Sequence, residues 1–134
     1  MQSVLKRMSG VFGLVLPMMV VGSLSAGEAP KSTPELVKKG EQIYKTNCMV
    51  CHGEKGDGNG PAGAALNPKP RDLRVKDETV GKHYKAGGKP EQLFKTISEG
   101  LPGTAMIGYS STIPNESDRW AVVYYIKEKL QAGK

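Results

Sequence analysis

Cys48-Met49-Val50-Cys51-His52 is the stretch around which the rest of this 134-residue chain is organised. Cys48 and Cys51 are the only cysteines, and a histidine follows them directly. On a turn of helix, positions i, i+3 and i+4 share one face, so both thiols and the imidazole point the same way. Two thiols placed like this can form thioether bonds with the vinyl groups of a haem, and the imidazole can then reach the iron. The motif predicts one covalently attached haem c, with His52 as the proximal iron ligand.

Two other chemistries use a pair of cysteines at this spacing. A redox dithiol of the thioredoxin kind normally sits in a βαβ context, which the sequence lacks. A structural zinc site needs about four protein ligands, and His83 is the only further histidine. Both stay open as alternatives to the haem.

The first 26 residues have the layout of a secretory signal peptide. Lys6 and Arg7 precede an apolar run over residues 11–21, and small residues follow up to Ala26. The run is shorter than the about 20 residues of a membrane span, and Pro17 interrupts it. We therefore expect a signal peptide at residues 1–26 and one domain at residues 27–134. An uncleaved membrane anchor is the alternative, and export from a bacterial cell would place the domain in the periplasm.

Helix signals flank the motif at both ends of the predicted domain. A mobile tail over residues 27–32 should lead to a helix that is capped by Thr33, opens at Pro34 and runs to about Asn47. A second helix should open at Pro90 and end near Gly100. No trustworthy strand pattern is present, so the fold class is predicted to be all-α.

The last predicted helix has the clearest helix signals of the chain. It starts near Asn115 or Ser117 and can end at Gly133. Its buried face is predicted to hold Trp120, Val123, Tyr124, Ile126 and Leu130. Between the helices, residues 53–70 are rich in Gly and Pro and should form a loop, while residues 75–84 could hold a short helix.

Met106 is the predicted sixth ligand of the iron. It is one of two methionines outside the signal, and it lies in a Gly/Pro loop before the last helix. A thioether is a soft ligand that favours Fe(II) and raises the reduction potential. A methionine of the core, ligation by His83 and an open sixth position are the alternatives.

Positive charge is concentrated in one stretch of the predicted domain. Residues 69–89 contain seven basic and three acidic side chains. The basic ones are Lys69, Arg71, Arg74, Lys76, Lys82, Lys85 and Lys89. Such a stretch could steer the protein to acidic faces of redox partners, or it could be an ordinary solvated loop. Nucleic acid is not an expected partner, because Tyr84 is the single aromatic residue in this stretch and an exported protein would be in the wrong compartment.

Several motifs together resemble the monohaem class I c-type cytochromes of bacteria. They are Gly40-x-x-x-Tyr44, Cys48-x-x-Cys51-His52, Gly60-Pro61, Met106 and Trp120-x-x-x-Tyr124. The resemblance covers residues 34–130. It implies a small cytochrome c fold, with three to five helices around one haem and the first and last helices crossing near Gly40.

The resemblance also implies roles for individual residues. The carbonyl of Pro61 is expected to accept a hydrogen bond from His52 Nδ1, which would leave Nε2 for the iron. The sequence departs from many members of the family after the ligand methionine, where Ile107 stands in place of proline.

The predicted function is a monomeric, exported carrier of single electrons in a respiratory chain, and no enzymatic activity is expected. The main alternative is a haem c subunit held permanently in a larger oxidase or dehydrogenase. A catalytic or gas-binding haem with an open sixth site is a third hypothesis.

Overall fold

The computed structural model describes residues 28–75 and 89–132, and these residues are almost entirely helix and loop. Four α-helices are present in them: α1 (Pro34–Asn47), α2 (Met49–His52), α3 (Pro90–Glu99) and α4 (Glu116–Tyr125). A 3₁₀ turn lies at Gly63–Ala65, and a π-helical turn at Ile126–Leu130 continues α4. The described residues contain one isolated β-bridge and no named strand. The all-α prediction is confirmed.

Local signals set the bounds of the longer helices as predicted. Thr33 caps α1 by accepting a hydrogen bond from the Leu36 amide (3.2 Å), and Pro34 occupies the first turn, where its missing N–H has no cost. Asn115 caps α4 in the same way through the Ser117 amide (2.9 Å). The helix predicted for residues 75–84 lies almost wholly outside the described residues, as do the signal peptide and His83.

The crossing of α1 and α4 depends on Gly40. A Cβ at this position would lie 1.9 Å from the carbonyl oxygen of Ala121 and 3.1 Å from Cβ of Tyr125. The two helix backbones are therefore in direct contact, and no side chain fits between them. This confirms the predicted crossing of the first and last helices.

The core is built mainly on α4. Tyr44, Val122 and Val123 are its largest fully buried side chains, and Trp120 and Ile126 are also buried. Tyr124 and Leu130 of the predicted stripe are only partly buried. Because α4 packs against both α1 and α3, it buries more of its circumference than a single stripe would.

The segment before α1 is held against the C-terminal helix, which differs from the predicted tail. The Tyr124 hydroxyl donates to the Pro30 carbonyl, and the Ser32 hydroxyl donates to Glu128 Oε1 at 2.5 Å. Ala29 packs against the core cluster. These contacts are non-local, so the composition of residues 27–32 could not reveal them.

Within the described part of the chain, no helix is both long enough and apolar enough to cross a membrane.

Candidate functional site

A single cavity of about 580 Å³ brings together the residues predicted for the site. Cys48, Cys51, His52 and Met106 all line it, although Met106 is 54 positions beyond His52. Pro61 is not among the lining residues. The aliphatic part of the lining comes from the loop after the motif, from α3 and the loop that follows it, and from α4 and its π-helical turn. Its residues are Leu66, Leu73, Val75, Leu93, Ile97, Leu101, Val122 and Ile126.

Helix α2 places the motif on the cavity wall. The amides of Cys51 and His52 both donate to the carbonyl of Cys48, at 3.2 and 2.9 Å. This single turn puts Cys48, Cys51 and His52 on one face, as their spacing predicts. Gly53 ends the helix with a φ of +80°, a conformation that side chains rarely tolerate.

The glycine-rich loop wraps the outer side of the motif. Its amides at residues 58, 60 and 62 donate to the carbonyls of residues 52, 51 and 50, at 2.8 to 3.1 Å. A Cβ on Gly60 would lie 2.4 Å from the Val50 carbonyl oxygen. The loop therefore satisfies the carbonyls that a four-residue helix leaves unpaired.

The Cys48 thiol lies in an environment that keeps it protonated. Burial is the main cause that raises its pKa, to about 12, and the nearby Cys51 adds to the effect. Reactive redox dithiols need the opposite, a thiolate stabilised at neutral pH. The environment of Cys48 thus does not fit a thioredoxin-like dithiol.

The described residues do not provide a set of ligands for a zinc ion. Across residues 28–75 and 89–132, no three His, Cys, Asp or Glu side chains gather into a group that could hold a metal ion.

His52 is oriented by a backbone carbonyl, as expected, but the carbonyl belongs to Arg71. His52 Nδ1 lies 3.1 Å from the Arg71 oxygen. A carbonyl only accepts hydrogen bonds, so Nδ1 carries the proton and Nε2 keeps its lone pair. Burial lowers the pKa of His52, and the Arg71 carbonyl opposes this in part. The ring is therefore neutral at neutral pH, which is the form that binds a metal.

The structure thus corrects the role that was predicted for Pro61. Pro61 is exposed, and its neighbours Gly60 and Ala62 are bonded to the backbone carbonyls of the motif. Pro61 does not line the cavity, and the partner of His52 Nδ1 is the Arg71 carbonyl. The extended segment around Pro70 and Arg71 passes the ring instead. Its proline-rich composition was the available signal, but a contact across 19 positions has no local signature.

Met106 lies in the loop between α3 and α4. The loop is closed at its base, because the Leu101 amide donates to the Met106 carbonyl (2.9 Å) and Gly100 and Ile107 form a β-bridge. Met106 is half-buried, and it faces the same cavity as His52. The residues from 100 to 115 carry no charge.

Two tyrosines support the site. The sequence did not predict a contact at the site for either of them. The buried hydroxyl of Tyr44 donates to the Gly53 carbonyl (2.7 Å), directly after His52. Tyr109 lines the cavity and donates to the Asn47 carbonyl (3.0 Å), directly before Cys48. Tyr44 therefore joins the end of the motif to α1, and Tyr109 joins its start to the Met106 loop.

The charged side chains on the cavity wall come from one short segment. Lys69, Arg71 and Asp72 line the cavity. Asp72 also pairs with Arg74, with 2.7 Å between Oδ2 and Nη2. Part of the basic stretch is therefore neutralised locally. Lys69 and Lys89 are exposed, and Lys76, Lys82 and Lys85 lie outside the described residues.

Comparisons with known proteins agree with this geometry. The family model of cytochrome c matches residues 37–129. The cbb3-type cytochrome c oxidase subunit FixP of Azorhizobium caulinodans is 52% identical over 83 residues, which are 62% of this chain and 24% of that protein. Cytochrome c55X of Paracoccus denitrificans is 27% identical over 113 residues, covering 81% of this chain and 91% of that protein. The chain thus spans about a quarter of the oxidase subunit and most of cytochrome c55X.

A solved structure has the same arrangement of helices. A chain of the reducing HAO-like protein complex of Kuenenia stuttgartiensis superposes with a TM-score of 0.64 and 26% identity. The match covers 75% of this chain and 46% of that one.

Proposed function

Because this chain belongs to the cytochrome c family, whose members transfer electrons through covalently bound haem c, we propose that it is an exported one-electron carrier. In this proposal Cys48 and Cys51 would hold a single haem, and His52 and Met106 would both bind its iron. The observation that carries it is the one cavity that all four side chains line.

The cavity suits a haem in both shape and chemistry. Aliphatic side chains of α3 and α4 cover its walls, and they would exclude water from an apolar macrocycle. The cationic side chains on the wall, Lys69 and Arg71, could offset the charge of propionate groups at one edge. The resident group would supply one-electron chemistry through its iron.

The residues of the chain then have separate tasks. Cys48 and Cys51 fix the group against loss. His52 keeps its proton on Nδ1, bound to the Arg71 carbonyl, so that the lone pair on Nε2 would be available to bind the iron. Met106 would supply a second, soft donor to the iron, which would raise the reduction potential. With both positions filled there is no place for a substrate on the metal, so the proposal assigns no catalytic residue.

We extend the proposal to partners and location. Residues 1–26 would be removed as a signal peptide, leaving a monomeric domain over residues 27–134 in the periplasm. Its basic stretch over residues 69–89 would meet acidic faces of respiratory donors and acceptors. The exposed side chains of Val50 and Ile107 are neighbours of Cys51 and Met106, and they would give such a contact an apolar part.

A second candidate function is a haem c subunit held permanently in a larger oxidase. The 52% identity to an oxidase subunit over 83 residues favours it. Size-exclusion chromatography of the natively expressed protein separates the two. A monomer supports the free carrier, whereas co-purification with an oxidase or dehydrogenase supports the subunit.

The axial ligands are tested by the visible spectrum of the ferric holoprotein. Wild-type protein should show the weak red absorption band of methionine-ligated ferric haem, and Met106→Ala should lose it. The reduced wild-type protein should not bind carbon monoxide at neutral pH, whereas the reduced variant should. Carbon monoxide binding by the wild type would instead support an open sixth site.

A further inference from the structure

The loop that carries Met106 is closed by hydrogen bonds that converge on one hydroxyl group. Thr104 Oγ1 accepts from the Met106 amide at 3.1 Å and donates to the Leu101 carbonyl at 2.9 Å. The Thr104 amide donates to the same Leu101 carbonyl at 3.1 Å. Together with the Leu101–Met106 bond at the base of the loop, these contacts bind both backbone polar groups of Met106.

We propose that Thr104 is a positioning residue that holds the backbone of Met106 in the geometry for axial ligation. The inference rests on the proposed role of Met106 as the sixth ligand. Thr104 lines the cavity beside Met106, but its role is to fix the ligand rather than to contact the iron.

The physical reason is the entropy of the loop. Ordering each residue of the loop costs backbone entropy, and a single bond from the thioether would have to offset that cost for the whole loop. Gly100 and Gly103 both have positive φ, so the loop contains two of the least restrained residues of the chain. A hydroxyl that closes the turn from Leu101 to Met106 reduces the number of open conformations in which the sulfur is displaced.

The sequence shows no obvious replacement for this hydroxyl. Leu101, Pro102, Gly103 and Ala105 have no side-chain donor or acceptor, and Thr104 is therefore the one polar side chain between Gly100 and Met106. Thr104 is exposed and is not part of the hydrophobic core cluster, so a substitution that keeps its shape leaves the core unchanged.

The test is competition by imidazole for the sixth position in the ferric holoprotein, followed at the red absorption band. The apparent affinity for imidazole is its intrinsic affinity scaled by the fraction of molecules whose loop is open. Thr104→Val keeps the shape of the side chain and removes both hydroxyl hydrogen bonds. We expect its imidazole dissociation constant to fall about 5-fold, because each bond contributes modestly at an exposed site.

Two matched variants complete the series. Thr104→Ser keeps the hydroxyl and should stay within about 2-fold of the wild type. Thr112→Val makes the same chemical change at an exposed position of the same loop, outside the turn from Leu101 to Met106. It should also behave as the wild type. Denaturant unfolding of each holoprotein is measured alongside.

The outcomes separate this inference from the proposed function. If Thr104→Val alters unfolding but leaves imidazole affinity unchanged, the hydroxyl is merely structural and the inference is overturned. The inference is also overturned if Thr104→Val changes neither quantity. If Met106→Ala keeps the red band, Met106 is not the ligand and both proposals fail. Loss of the band in Met106→Ala, together with tighter imidazole binding in Thr104→Val alone, supports both.

Discussion

Single hydrogen bonds in the interior set the chemistry of the site. The proton on His52 Nδ1 is fixed by the Arg71 carbonyl, and the carbonyl that follows His52 is bound by the Tyr44 hydroxyl. Burial raises the pKa of the Tyr44 phenol, so it stays a donor at neutral pH. Without the Tyr44 hydroxyl the buried Gly53 carbonyl would be left unsatisfied, which is why the loss of this bond is costly.

At the residue scale, we predict that Tyr44→Phe lowers the free energy of unfolding of the holoprotein by about 1–3 kcal/mol. The change removes only the hydroxyl and leaves the Gly53 carbonyl buried without its donor. Denaturant unfolding measures the effect. Tyr124→Phe is the matched control, since Tyr124 is less buried and water can replace it at the Pro30 carbonyl. An equal loss in the two variants would contradict the prediction.

Helix bounds follow from local chemistry, whereas helix contacts do not. Thr33 and Pro34 start α1, and Asn115 starts α4, at the positions expected from capping rules. The π-helical turn at Ile126–Leu130 lies where the sequence predicts plain helix. Ile126 lines the cavity, and the Gln131 side chain donates a hydrogen bond to the Leu73 carbonyl. Tertiary contacts therefore decide the geometry of this turn.

At the scale of elements, we predict that Gly40→Ala destabilises the protein by about 3 kcal/mol. Alanine is the better helix former by about 1 kcal/mol, so helix propensity alone predicts a gain. The added methyl group would lie 1.9 Å from the Ala121 carbonyl oxygen, and α1 would have to move away from α4. Thermal and denaturant unfolding of the holoprotein measure the change.

Gln42→Ala is the control for this variant. Gln42 is an exposed residue of the same helix, and its replacement should change stability by less than about 0.5 kcal/mol. A Gly40→Ala protein as stable as the wild type would show that the two helices are not in backbone contact.

The whole molecule combines an apolar cavity with an uneven distribution of charge. The chain has a formal net charge of +6 at pH 7, with basic residues concentrated over residues 69–89. Charges of one sign on one face speed up the encounter with a partner of opposite sign, and salt screens this effect. The orientation of a docked partner therefore depends on where the charges lie, in addition to their sum.

At the scale of the molecule, we predict that reversing Lys82, Lys85 and Lys89 to Glu slows electron transfer to an acidic redox partner by at least 10-fold at low ionic strength. Added salt should also slow electron transfer by the variant much less than it slows electron transfer by the wild type. Stopped-flow kinetics at several ionic strengths measure both effects.

Reversing Lys31, Lys38 and Lys55 gives the same net charge with exposed residues that do not line the cavity. If this control slows electron transfer equally, net charge alone acts and the basic stretch is not a docking site.

The sequence by itself determined the covalent motif, the helix starts and the all-α class, because spacing, caps and proline positions act within a few residues. Family resemblance added the crossing of the terminal helices. Tertiary structure decided that Arg71 and not Pro61 orients His52, that residues 29–32 are bound to the last helix, and that Thr104 and Tyr109 tie the Met106 loop. These contacts depend on which segments meet in space around the cavity, or on the path that a loop takes, and no periodic pattern records them.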